Sequence, residues 1–223
     1  ACIYPDRIED LGEVLDDITD FYGKLGIRAS IYHPYVKNYF KDNVRRRVNM
    51  EHQIDVMISE EKVDERICEL AKQISEDYAG KELHLVVILK GSVFFACELA
   101  KRITVPVTMD FMSVSSYGDG MVSAGHITVK KELDEDIEGK DVIIVEDIVD
   151  SGNTLFHLKN LLEGRNPASL KIITLLDKPD RRVAEVATDY CGFEIPDEFV
   201  VGYGLDYDQK YRNLPYIGFV EIE

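Results

Sequence analysis

From residue 53 onward the chain alternates short, nearly continuous apolar runs with segments of helical period, and that alternation constrains the fold more than any other feature. LHLVVIL over 83–89, VIIV within DVIIVED over 141–147, and LKIITLLD over 170–177 have the pattern of strands buried on both faces. VPVTMDFMSV over 105–114 reads as a further strand. Between the runs lies SEEKVDERICELAKQISEDY over 59–78. It carries an apolar stripe of Val63, Ile67, Leu70, Ala71 and Ile74 behind Ser59 as N-cap, and ends before Gly80. FFACELAKRI and TLFHLKNLLEG read as two more helices. Strands buried on both faces need helices on both sides, so the expected fold over 53–223 is α/β, doubly wound around a mostly parallel sheet. The four cysteines are widely separated with no CxxC pair, so neither a zinc site nor a disulfide framework is expected. Cys68, in a helical pattern, and Cys97, in an apolar stretch, are expected to be small buried hydrophobes.

Residues 1–52 form a separate N-terminal extension. Residues 1–23 carry seven acids and one Arg, while residues 24–50 carry seven bases and one acid. In the first part Ile8, Leu11, Leu15, Ile18 and Phe21 recur at helical spacing, predicting an amphipathic helix with an acidic outer face. The second part holds the basic run Arg45, Arg46, Arg47, expected to lie on the acidic body or on a neighbouring subunit. The whole chain has 26 Lys and Arg against 42 Asp and Glu, a formal charge of −16, which argues against nucleic-acid binding by bulk charge. No apolar run approaches the roughly 18 residues of a membrane span. The start ACIYPDRIED turns acidic at once, unlike a signal peptide, so the expected location is the cytoplasm.

In a doubly wound sheet, ligands bind in the loops at the carboxyl ends of the strands. The most informative of these is VIIVEDIVDSGNT over 142–154. A buried strand runs into Glu146 and Asp147, then Asp150, then Ser151, Gly152, Asn153 and Thr154 opening a helix. Small residues at a helix N-terminus offer free backbone N–H groups, an anion site suited to a phosphate. The acids before that cradle repel a phosphate unless they turn toward sugar hydroxyls or a divalent cation. There is neither a GxxxxGK[ST] loop nor a GxGxxG fingerprint.

This stretch resembles the phosphoribosyl-diphosphate (PRPP) motif of type I phosphoribosyltransferases. LKGS at 89–92, SSYG at 115–118, LLDKPDRR at 175–182 and FVVGYGLDYDQKYRNLPYIG at 199–218 look like the other blocks of the hypoxanthine-guanine phosphoribosyltransferase family, bacterial branch. The resemblance implies the fold of that family, with a small hood subdomain beside the sheet. It implies that Glu146 and Asp147 hold the ribose hydroxyls, directly or through magnesium, and that Ser151, Gly152, Asn153 and Thr154 hold the 5'-phosphate. Asp150 is implied as general base and acid at purine N7. Lys90 and Gly91 belong to the implied diphosphate loop, with a cis Leu89–Lys90 peptide. Lys178 is implied to donate to the purine C6 oxygen, Phe199 to stack on the base, and the Val200 carbonyl to accept from a guanine amino group. Asp206 matches a magnesium site and Arg212 a diphosphate contact. Ser116 and Tyr117 mark the family's mobile loop within 112–134, which shields the cationic ribose from water.

The activity so implied is purine salvage: hypoxanthine or guanine joined to PRPP, giving IMP or GMP and diphosphate, with Mg2+ as cofactor and a homo-oligomer, dimer or tetramer, as the assembly. A xanthine-preferring sister transferase reads the same loops. A PRPP-binding regulator without turnover is the alternative of another class, and Asp150 with the purine set counts against it.

Overall fold

The computed structural model describes residues 53–116 and 127–220. The extension expected over 1–52 lies outside the described residues.

Each helix forms where an apolar stripe meets a workable N-terminus. α1 (Glu60–Asp77) starts behind Ser59, whose hydroxyl accepts from Lys62 N at 3.5 Å, and Glu60 and Glu61 sit favourably in its first turn. It buries Val63, Ile67, Leu70, Ala71 and Ile74. α2 (Val93–Arg102) buries Phe95, Ala96 and Leu99, and places Lys101 and Arg102 in the last turn, where cations suit the helix dipole. α3 (Asn153–Glu163) buries Leu155, Leu158 and Leu162. Cys68 and Cys97 correct the expectation, for both are exposed. Each falls off its helix's buried stripe, and no core contact draws it inward.

The main sheet has six strands in the order β4-β3-β2-β5-β6-β7, formed by β2 (Leu83–Ile88), β3 (Val107–Ser116), β4 (Ile127–Lys131), β5 (Asp141–Val149), β6 (Ser169–Asp177) and β7 (Tyr190–Glu194). Every pairing is parallel except β3 with β4. Alternate residues of the strands feed two separate cores. On one face Leu83, Leu85, Val87, Ile143, Val145, Ile173 and Leu175 pack under α1 and α2. On the other Val86, Ile88, Val142, Ile144 and Ile172 pack under α3 and Ile137. Both faces are therefore covered, which is why these strands read as continuous apolar runs. Truncating a fully buried member such as Leu158 to Ala costs about 2–5 kcal/mol on general grounds.

β1 (Ile54–Ile58), β8 (Val200–Val201) and β9 (Ile217–Val220) form a second, antiparallel sheet in the order β1-β9-β8. This is the small hood. In the main sheet, β2 leads to a neighbour on one side through α2 and β3, whereas the chain resumes on its other side at β5. The strand order thus reverses between β2 and β5, and a crevice opens beyond their carboxyl ends.

Candidate functional site

The loop after β2 and the loop after β5 flank that crevice. Leu89 N donates to Met112 O at 2.8 Å, the Leu89–Lys90 peptide is cis, and the buried Ser92 hydroxyl donates back to Ile88 O. The LKGS turn is thus tied to the ends of β2 and β3. Asp147 leans across it from β5. A Cβ on Gly91 would overlap Asp147 Oδ2, so only glycine lets the carboxylate come so close.

Glu146 and Asp147 are adjacent acids that form no ion pair with a basic side chain among the described residues, and each is partly accessible. Although part of Glu146 reaches solvent, burial of its carboxyl, and then the charge of Asp147 beside it, push its pKa well above the ordinary carboxylate range. Such a pair favours a proton, a cation or donor hydroxyls.

Past Val149 the backbone turns into the phosphate-type cradle. Gly152 is the N-cap of α3 in the left-handed region, with φ +80°, and has no side chain to occupy the first helical amides. A Cβ there would lie 2.7 Å from Val186 Cγ1 and 2.9 Å from Arg182 Cδ. The Ser151 carbonyl accepts from Val183 N at 2.9 Å and Ala184 N at 3.0 Å, which pins the loop, while Asn153 N reaches Ser151 Oγ at 3.4 Å. A cavity of about 320 Å³ lies over these groups, lined by Leu89, Ser115, Glu146, Asp150, Gly152 and Thr154 among others. Its dimensions and polar rim suit a sugar phosphate.

Lys178 follows β6, and its backbone N donates to Val149 O at 2.9 Å, so it stands beside Asp150. It is only 7% exposed. Phe199, 42% exposed, leads into β8 and meets Tyr207 edge-on with ring centroids 5.5 Å apart. Val200 is buried in β8 opposite Phe219.

The structure does not gather every predicted residue into one group. No set of three His, Cys, Asp or Glu side chains among the described residues is placed to hold a metal ion, so Asp206 does not complete a metal-holding group with Glu146 and Asp147. Asp206 instead pairs with Arg212, Nη2 to Oδ1 at 2.6 Å, and accepts from Gln209 N at 2.8 Å. Arg212 Nη1 donates to Gly204 O at 2.6 Å, and Lys90 Nζ to Gln209 Oε1 at 3.2 Å, so the loop of 202–212 lies over LKGS. Tyr117 lies outside the described residues, and of Ser116 only the backbone, paired with Ile127, is described.

Sequence reasoning assigned no role to Arg181, Asp197 or Gln209. Arg181 Nε is 2.8 Å from Asp150 Oδ1, and Arg181 Nη1 donates to Asp197 Oδ1 at 3.2 Å. The only signal was the doubled arginine after Lys178. Its neighbour Arg182 turns away to pair with Asp177 and to donate to Val186 O at 2.5 Å.

Residues 59–208 match the phosphoribosyl transferase domain family. Hypoxanthine phosphoribosyltransferase of Salmonella typhimurium is 53% identical over 175 residues, covering 78% of this chain and 98% of that protein. The bifunctional protein TilS/HprT of Listeria monocytogenes is 43% identical over 219 residues, covering 92% of this chain and 34% of that protein. A crystal structure of a hypoxanthine phosphoribosyltransferase from Staphylococcus aureus superposes with a TM-score of 0.73 at 50% identity, covering 75% of this chain and 91% of that one.

Proposed function

The chain belongs to the phosphoribosyl transferase family, and we propose that it joins hypoxanthine or guanine to PRPP, giving IMP or GMP and diphosphate. The observation that carries this reading is the placing of Lys178 and Asp150 side by side, through the Lys178 N to Val149 O bond, immediately before the Ser151–Thr154 cradle. One crevice then offers groups for a phosphate, a ribose and a 6-oxopurine in the order in which a nucleotide carries them. The names of the Salmonella and Staphylococcus relatives support the same substrates.

In this reading the amides and hydroxyls of Ser151, Gly152, Asn153 and Thr154 hold the 5'-phosphate. Glu146 and Asp147 accept from the ribose hydroxyls, and the backbone of Lys90 and Gly91, with Arg212, faces the diphosphate. Lys178 Nζ donates to the C6 oxygen. Adenine presents an amino donor at that position, leaving the lysine unpaired, which is the basis of rejection. Phe199 covers one face of the base, and the Val200 carbonyl is placed for a guanine amino group. As purine N9 bonds to ribose C1 and the C1–O bond to diphosphate breaks, Asp150 takes the proton from N7. By the family resemblance, Ser116 and Tyr117 are assigned to shielding the reacting ribose from water.

Mg2+ fits the donor set, because the Asp147 carboxylate leans over the diphosphate loop beside a second, proton-seeking acid, and all the candidate donors are oxygens. Glu146 and Asp147 would hold it. When bound it neutralises charge on the leaving diphosphate.

Residues 1–52 are proposed as an extension to the transferase body of 53–223. Residues 53–223 are 171 of 223, or 77%, so the 92% coverage in the Listeria comparison reaches into that extension. No helix among the described residues is long and apolar enough to cross a membrane. A cytoplasmic homo-oligomer completes the proposal.

The test supplies purified protein with PRPP and Mg2+ and then hypoxanthine, guanine, xanthine or adenine, following nucleotide and diphosphate together. Equal yields of both products with hypoxanthine or guanine, and none with adenine, are expected. Preference for xanthine would transfer the reading to the sister activity. PRPP binding without turnover of any base would overturn it.

A further inference from the structure

Arg181 and Asp197 are charged residues in contact with Asp150 and Lys178 to which the proposed mechanism gives no task. With Lys178 and Asp150 they form an alternating row. Lys178 Nζ is 3.7 Å from Asp197 Oδ1, and the same oxygen accepts from Arg181 Nη1 at 3.2 Å. Arg181 Nε then lies 2.8 Å from Asp150 Oδ1. That last approach is an ion pair without hydrogen-bond alignment, since Asp150 Oδ1 is shielded from solvent and receives no directed donor. The oxygen therefore keeps an acceptor position unused by the protein.

The two ends of the row are the groups set against the base. A 6-oxopurine presents its C6 oxygen and N7 on one edge, so a lysine and an aspartate that read both atoms must stand a fixed distance apart. Left alone, opposite charges on neighbouring strand ends attract each other and pair directly, closing the space that the edge of the base must enter. Asp197 gives Lys178 a partner of its own, and Arg181 does the same for Asp150. The two inner residues reach the row from separate segments. Arg181 ends the short 3-10 turn Pro179–Arg181 after β6, and Asp197 lies between β7 and β8. Arg181 stays cationic, because the Asp197 hydrogen bond and then the charge of Asp150 hold its proton more firmly.

We propose that the Arg181–Asp197 pair is a positioning brace that keeps Lys178 and Asp150 from pairing with each other and so sets recognition of the O6/N7 edge of the base. This rests on the transferase reading above. Neither inner residue is a catalytic residue, because each acts through its neighbour.

The test measures steady-state rates of the full chain and of Asp197→Asn, Arg181→Gln and the double variant, varying hypoxanthine and PRPP separately, with melting temperatures beside them. Each single change is expected to raise KM for hypoxanthine roughly five- to tenfold, the upper range for a half-exposed ion pair that the base then covers. KM for PRPP and the melting temperature should stay at wild-type values. The double variant should cost no more than the worse single, because the two residues form one device. Asp197→Glu should recover most of the loss. A merely structural role would lower the melting temperature and raise both KM values together. Unchanged KM for hypoxanthine in both singles, or full additivity, would overturn the brace while leaving the transferase intact. Absence of turnover in the wild-type chain would remove the parent reading, and the brace with it.

Discussion

Strands β2, β5 and β6 carry polar and charged residues at both ends, and the two ends treat them differently. At the amino ends charges are matched: Lys81 Nζ donates to Asp141 Oδ1 at 3.1 Å, Lys171 Nζ to Tyr190 OH at 2.9 Å, and Tyr190 OH to Asp77 Oδ2 at 2.5 Å. His84, 2% exposed, shares a bond of 2.8 Å with Thr108 Oγ1, and its Nε2 stays without a partner, in keeping with a neutral ring. At the carboxyl ends Glu146 and Asp147 crowd like charges together, and Asp150 meets Arg181 without an aligned hydrogen bond. One end has arranged its polar groups for stability. The other holds charge in reserve for a ligand, which is the expected trade between activity and stability.

Four substitutions put that contrast to the test. The largest effect is expected for Asp150→Asn, which should lower kcat about 10²- to 10⁴-fold while the melting temperature stays unchanged. Next is Gly204→Ala. Gly204 has φ +104°, and a Cβ there would overlap the Gly91 carbonyl, so the change should destabilise the fold by about 1–3 kcal/mol and weaken PRPP binding by calorimetry. Glu146→Gln should move the two properties in opposite directions. Because burial and then Asp147 push the Glu146 carboxyl up, at neutral pH the folded chain must either hold a proton that the unfolded chain has released or carry a disfavoured charge, so the neutral amide should raise the melting temperature a few degrees at about pH 7.5 while activity falls.

The smallest effect concerns the amino ends. Burial, then Lys140, lower the His84 pKa below its ordinary 6.5. The unfolded chain therefore binds a proton there that the folded chain refuses. Stability contributed by neutral His84 is complete above pH 6.5 and is lost as pH falls below it. Urea midpoints of His84→Gln compared with wild type at about pH 7.5 and about pH 5.5 should show a shallower acid loss in the variant, with kcat unaltered. An equal acid loss in both proteins would place the titration elsewhere.

Much of this was legible in the sequence, for identifiable reasons. The strands at 83–88, 141–149 and 169–177 stood out because burial on both faces makes them continuously apolar. Glu146 to Thr154 stood out because a phosphate cradle is a local device, built from consecutive residues. The hood's strands are too short to show a period, β8 having two residues, and became expected only through the family resemblance. The Arg181–Asp197 contact joins loops after different strands, so no local pattern announces it. Cys68 and Cys97 were misplaced because residue type was weighed above helical phase, and phase puts both outside the stripe.

The most direct check on the central claim is a crystal structure of the full chain grown with IMP. The 5'-phosphate is expected on the Ser151–Thr154 amides, the ribose hydroxyls toward Glu146 and Asp147, and the C6 oxygen on Lys178 Nζ with N7 beside Asp150. A nucleotide bound at the amino ends of the strands, or seated in the crevice with its O6/N7 edge turned away from Lys178 and Asp150, would contradict it.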